Sequence, residues 1–399
     1  ARRQVSPKTI GAVLPLSGRH ANVAQKTLRG LQLGLGIYGP ERSEFRLAVI
    51  DSEGNPDQAR RAVERLVTED HVIAIVGSLL SREAMAVASK ADELGVPSIN
   101  LSQRTGITEV GNTVFRNSIT SEMQVRHLVR EAMEHMGLKK FAILYPNDPY
   151  GVEYANLFWD EVLARGGQIT AAQTYNSKDT NFGEPVQRLI GTYYLEDRLP
   201  EYKATVRNWY KDNPSPRARE TMPDDILSPI VDFDAIFIPD SIRAVAQIAP
   251  TLAFHNISHV RLLGTNLWNS ETLPERGNRH VEDALFVDTL LATDQKFKDS
   301  NFVKLYKSVF GEEPGLFELQ GYDTGIILRT FIASGARTRG GLSQSLRSSH
   351  TVPGATGPLQ VDSSREFHRP LVSLTIQGGK IIKLADAKLL EPVKEPAPK

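Results

Sequence analysis

Through the first third of the chain, short runs of β-branched and apolar residues alternate with stretches whose apolar residues recur at helical spacing. TIGAVLPL precedes a helix predicted near residues 21–37, FRLAVID one near 56–69 and VIAIVG one near 81–93; the strands PSINLS and TVFRN follow. Such alternation calls for parallel strands, because a parallel pair needs a long crossover and a helix is the usual way to supply it. Ala24, Leu28, Leu31 and Leu35 share one face of the first predicted helix. Asn55-Pro56 opens the second, where proline suits the first turn and Ala59, Val63, Leu66 and Val67 turn inward.

The pattern then restarts. A helix near 120–136 leads into KFAILYP, a helix near 151–165, QITAAQTY, DAIFIP, a helix near 241–253, VRLLGT and ALFVDTLL. A chain of 399 residues, 40% of them hydrophobic, can fill more than one core, and single cores stop growing at about 250–300 residues. The expected fold is therefore α/β, with two Rossmann-like three-layer lobes. Residues 193–233, charged and holding five prolines, break the rhythm and read as a surface insertion with one short helix near 198–211. After residue 289 come helices near 294–310, 319–335 and 341–348, then GPLQVDS and PLVSLTIQGGKIIKL, which read as antiparallel strands. The tail, 389–399, is proline- and lysine-rich and is expected to be disordered.

The 47 basic and 47 acidic residues cancel without a long run of either sign, which gives no support to a nucleic-acid or anionic-membrane surface. No window reaches the roughly 18 apolar residues of a membrane span, and ARRQVSPKTIGAV lacks the apolar core of a signal peptide. The expectation is a trimmed mature chain without its signal or lipid-attachment segment. With no cysteine there are no disulfides, thiolate metal sites or cysteine nucleophiles.

Ser78, Ser81 and Ser102 stand just past two successive predicted strands. In an open parallel sheet the ligand sits beyond the carboxyl ends of the strands, where backbone N–H groups face outward. One serine there reads as a helix cap; hydroxyls at several strand ends together read as a cleft.

LPLSG (14–18), AVIDSEGNPDQA (48–59), AIVGSLLS (74–81), GVPSINLS (95–102), VFRN (114–117), AILYPNDPYG (142–151) and LLGTNLW (262–268), in this order and spacing, resemble the type I periplasmic binding proteins. The resemblance is closest to the leucine/isoleucine/valine-binding and receptor ligand-binding subgroup. It implies two lobes joined by crossover strands that close on a small ligand, with residues 8–118 plus 289–352 in the N-terminal lobe and 119–288 plus 353–388 in the C-terminal lobe. It also implies ligand contacts from Ser81, Ser102, Gln103 and Arg104 in the first lobe, and from Tyr150, Asp240, Ser241 and Asn266 in the second.

Two positions depart from the subgroup's amino-acid binders. Arg104 replaces a small hydroxyl residue and offers to pair a second anionic group or to fill the cleft. Asn266 replaces the carboxylate that meets an α-ammonium, a charge Asp240 could supply instead. Packing at a turn remains an alternative for Tyr150, and helix capping for Asp240.

Residues 233–270 resemble a branch of the superfamily known as penicillin-binding protein activators, envelope lipoproteins. Two functions are therefore expected. One is an extracytoplasmic solute-binding protein, periplasmic or envelope-anchored, that captures an amino acid or related carboxylate for an ABC-transporter permease. The other is an interaction domain docking on a cell-wall synthase through the 193–233 excursion. His255 and His259 are four apart but straddle a helix end without the glutamate of a zinc protease motif. No G-x-S-x-G or P-loop occurs, and Gly30, Gly34 and Gly36 fall within a predicted helix and not after a strand, where a dinucleotide-binding glycine turn would stand. No catalytic residue, metal or cofactor is predicted.

Overall fold

A computed structural model describes residues 4–39, 43–223, 226–257, 259–348 and 350–387. The chain divides into two compact units, residues 1–120 with 289–371 and residues 121–288 with 372–399.

The first unit is built on β1 (Ser6–Leu14), β2 (Arg46–Asp51), β3 (Val72–Val76), β4 (Ser98–Asn100) and β5 (Val114–Arg116). They form one parallel sheet in the order β2-β1-β3-β4-β5. Helices α1 (Ala21–Gly34), α2 (Pro56–Thr68) and α3 (Ser81–Glu93) make the crossovers. The Asn55 side chain caps α2, accepting the N–H groups of Asp57 and Gln58, with Pro56 in the first turn. Each strand is apolar on both faces because each face is covered: Ile10, Ala12, Val76 and Phe115 join one buried cluster, and Val13, Ile75, Val87 and Ala91 another.

The glycines inside α1 serve packing. That helix lies against the helix Leu316–Ala333, and a Cβ on Gly30 would stand 2.0 Å from the Glu318 carbonyl oxygen, one on Gly321 2.1 Å from that of Thr27. Only glycine on both helices lets the backbones approach this closely.

The second unit holds β6 (Lys140–Pro146), β7 (Gln168–Tyr175), β8 (Ala235–Phe237), β9 (Arg261–Leu263) and β10 (Leu285–Asp288), with α4 (Ser121–Arg130) and α5 (Pro149–Ala164) on the sheet. Further along the chain come β11 (Val352–Gly354), β12 (Gly357–Val361) and β13 (Phe367–His368), then β14 (Val372–Gln377) and β15 (Lys380–Lys383). The second sheet runs β15-β14-β10-β9-β8-β6-β7, with β14 and β15 antiparallel. Its core is aromatic: Phe158 stacks on Phe237 at 4.3 Å and meets Phe141 edge-on at 5.6 Å.

One boundary differs from the sequence reading. Residues 353–371 belong to the first unit, because Leu359 and Phe367 are buried with Ile10 and Phe115, and Glu366 pairs with Arg116. β12 and β14, expected to pair, lie in different sheets: β12 pairs with β11 and β13, and β14 joins β10. Within the 193–233 insertion a helix spans Leu199–Asp212, and Arg198 ties its start to the carbonyls of Gly191 and Ser228 at 3.0 and 2.9 Å. The tail 389–399 lies outside the described residues. Among those residues no helix is long and apolar enough to cross a membrane.

Candidate ligand-binding clusters

In each sheet the order of the strands reverses once, between β1 and β3 in the first and between β6 and β8 in the second. At such a point adjacent crossovers leave on opposite faces, and the carboxyl ends open a crevice. The residues there are Ser78 and Ser81 after β3, and Tyr150 and Asp240 after β6 and β8.

The first cluster is built by β3, β4 and α3. Gly77 makes the turn out of β3 with φ +122°, and a Cβ there would stand 2.2 Å from the Val13 carbonyl oxygen. Ser78 Oγ accepts the Leu80 N–H at 3.1 Å. Ser81 begins α3 after Leu80, and its hydroxyl caps nothing; it lies 3.3 Å from the hydroxyl of Ser102. Ser102 Oγ, almost fully buried, accepts the Arg104 N–H at 3.1 Å, and Arg104 Nη1 donates to the Ser81 carbonyl at 2.9 Å. Ser81, Ser102 and Arg104 thus come together. Gln103, between them in sequence, is exposed with no hydrogen bond among the described residues.

A buried frame holds this loop. Arg116 donates Nε and Nη2 to the two oxygens of Glu366, both at 2.7 Å, and Nη1 to the Arg104 carbonyl. Gln320 Nε2 donates to the carbonyls of Leu101 and Asn117, both at 2.8 Å, joining the ends of β4 and β5. Burial would raise the Asp51 carboxyl, yet the N–H groups of Glu53, Leu16 and Ser17 hold it below the usual range. Burial pushes the Glu83 carboxyl up, and neither of its fully buried oxygens has a hydrogen-bond partner among the described residues.

The second cluster comes from α4, α5 and the ends of β6 to β9. Asp148 caps α5 by accepting the Gly151 N–H at 2.8 Å, which sets Tyr150 in the first turn. The Tyr150 ring lies 4.5 Å from that of Tyr154, and its hydroxyl is 2.8 Å from Thr265 Oγ1. Burial pushes the Tyr150 phenol up to about 12, so it is neutral at physiological pH.

Asp240 is tied on both oxygens. Tyr175 donates its hydroxyl to Oδ2 at 2.6 Å, and the Ser241 N–H reaches Oδ1 at 2.5 Å. Burial, and then the Asp240 charge, push the Tyr175 phenol up. Trp268, fully buried, donates Nε1 to the Asp240 carbonyl at 3.0 Å. Asp240 is not the helix cap that the sequence allows, since Ser241 holds that position and its exposed hydroxyl bonds nothing among the described residues.

The Asn266 N–H donates to Gln124 Oε1 at 2.9 Å, and Gln124 Nε2 donates to the Tyr154 hydroxyl at 2.7 Å. The half-buried Asn266 amide itself has no partner among the described residues. Tyr150, Asp240 and Asn266 therefore lie in one hydrogen-bonded assembly whose connectors, Gln124, Tyr175, Thr265 and Trp268, the sequence reading did not single out. Their one legible signal is position: Tyr175 ends β7, and Thr265 and Trp268 follow β9.

Residues 7–192 match the family described as periplasmic binding protein. That stretch is similar to the family over somewhat less than half of the chain. A putative branched-chain amino acid ABC transporter protein from Rhodospirillum rubrum superposes with a TM-score of 0.74 at 19% identity, over 94% of this chain and 99% of that one. A Rhodopseudomonas palustris solute-binding protein in complex with 4-hydroxybenzoate gives 0.65 at 19%, over 94% and 95%. The fold is thus that of the type I periplasmic binding proteins. In sequence, an amino acid binding protein of Pseudomonas aeruginosa is 27% identical over 151 residues, 36% of this chain and 40% of that one. The matched stretches span less than half the length of the curated relatives.

Proposed function

We propose that the chain is an extracytoplasmic solute-binding protein that captures a small polar ligand, an amino acid or related carboxylate, and delivers it to an ABC-type permease. The observation that carries this reading is the pair of hydrogen-bonding clusters, one at the reversal point of each large sheet. Ser81, Ser102, Gln103 and Arg104 would contact the ligand from the first unit, and Tyr150, Asp240, Ser241 and Asn266 from the second. The relatives, one described as an amino acid binder and one bound to 4-hydroxybenzoate, support the substrate range.

Titration calorimetry against a panel of amino acids and small carboxylates, with tryptophan fluorescence in parallel, tests the reading. Trp268 touches Asp240 through its indole N–H, so a saturable fluorescence change with one stoichiometric site is expected. Absence of saturable heat and fluorescence change across the panel would refute solute capture.

A further inference from the structure

In the second unit α4 ends at Arg130, and the chain continues through one wider turn, Glu131–His135, closed by the Met136 N–H on the Glu131 carbonyl at 3.2 Å. Wide turns of this kind gather at functional sites. Around it the side chains form a continuous run of hydrogen bonds. Arg130 Nη2 is 3.1 Å from His127 Nδ1, and His127 Nε2 is 2.9 Å from Ser373 Oγ on β14. Ser373 Oγ is 3.0 Å from Glu131 Oε2, and Glu131 Oε1 is 3.0 Å from His135 Nδ1. The direction of each bond follows from what each group can do. A guanidinium only donates, so His127 Nδ1 accepts and bears no proton. A carboxylate only accepts, so Ser373 gives its hydrogen to Glu131, and His127 carries its proton on Nε2 and donates it to Ser373. This tautomer is assigned from the hydrogen-bond network. Ser373 is therefore not a nucleophile activated by His127, whose Nε2 has no lone pair to take the hydroxyl proton.

That arrangement holds for one charge state of the ring. A second proton can go only to Nδ1, where it meets Arg130 Nη2, and two cationic donors then face each other at hydrogen-bond distance. The bond to Ser373 survives, because an imidazolium donates from both nitrogens; the bond to Arg130 cannot. The charges that act on the ring are Arg130, Glu131 and His135, all from its own helix and the wide turn. β14 faces the ring with the uncharged Ser373, and β10 and α5, packed under α4, bring Leu285, Val287 and Phe158 to the core beneath. Arg130 is exposed, and among the described residues no carboxylate lies within 4.0 Å of it. Its guanidinium is held there through the ring.

We propose that His127 and Arg130 form a pH-sensitive catch at the end of α4: the neutral ring holds the guanidinium against the helix, and a second proton on Nδ1 expels it while the bond to Ser373 persists.

The experiment is nitrogen NMR of the full chain, labelled on histidine and arginine and followed from about pH 8 down to about pH 5. At the upper end His127 should show a protonated Nε2 and a bare Nδ1. On acidification the Arg130 guanidinium signals should move with the midpoint of the His127 ring. Arg130→Met removes both the neighbouring cation and the donor that favours the neutral ring, and should raise that midpoint by roughly half a pH unit. Glu131→Gln removes the anion that favours the charged ring and should lower it. A proton on Nδ1 of the neutral ring overturns the proposal, and this reading needs no variant. Arginine signals that stay still through the His127 titration overturn it as well, as does a midpoint that is unmoved or moves in the opposite direction in either variant.

Discussion

The two strand-end clusters use the same sheet geometry and opposite electrostatics. In the first unit a guanidinium, Arg104, has no carboxylate partner among the described residues, while its neighbour Arg116 is paired with Glu366. In the second unit the strand-end carboxylates each accept from a donor of the same unit, and the Asn266 side-chain amide has no partner among the described residues. Residue type alone would credit the second cluster with an anion at Asp240. The hydrogen bonds from Tyr175 and Ser241 show that this anion is already employed in holding the cluster together. What a site offers a ligand is set by what its side chains have left over.

The strongest way to break the comparison is to remove the frame of the first cluster. Glu366→Ala leaves the Arg116 guanidinium, 6% exposed, without its counter-charge, and should cost about 3–5 kcal/mol in urea unfolding. An unchanged unfolding midpoint would show that the pair is dispensable. Next in size is Tyr175→Phe, which keeps the ring and deletes the donor to Asp240. The loss of a hydrogen bond to a charged acceptor predicts about 1.5–3 kcal/mol; a loss near zero would mean that Asp240 is held without it.

The smallest effect sharpens the second unit through pH. Burial, with Arg130 beside it, holds the His127 ring below its ordinary value of 6.5. Below that value the unfolded chain takes up the proton before the folded one does. The contribution of neutral His127 is thus complete above about pH 6.5 and is lost as pH falls toward the depressed folded value. Ser373 Oγ is 2.9 Å from His127 Nε2, and Glu131 and His135 also act on the ring. His127→Asn should flatten the acid limb of the melting curve by on the order of 2 °C. Parallel acid limbs in the variant and the parent would contradict this.

Much of the fold was legible because it rests on local periodicity. The parallel strands of both units, the Asn55-Pro56 helix start and the second α/β block follow from neighbouring residues. Residues 353–371 were not legible, since their placement depends on Leu359, Phe367 and Glu366 meeting partners some 250 positions away. For the candidate site, position past a strand end marked Ser81 and Ser102, and the family resemblance named Tyr150, Asp240 and Asn266, but the tie between Tyr175 and Asp240 spans 65 positions and that between Gln124 and Asn266 spans 142. No spacing rule reaches so far. The structure also changes how Tyr150 is best probed: its ring rests on Tyr154, so truncation to alanine would disturb packing, whereas phenylalanine removes only the hydroxyl.

The central proposal is that the residues of each cluster take part in ligand binding. Calorimetric titration of the tightest-binding compound into Ser102→Ala, Tyr150→Phe and the double variant tests it. Each single substitution should weaken binding by about tenfold, and the double variant should lose at least as much as either. Parental affinity in either single variant would remove its cluster from the site and contradict the account.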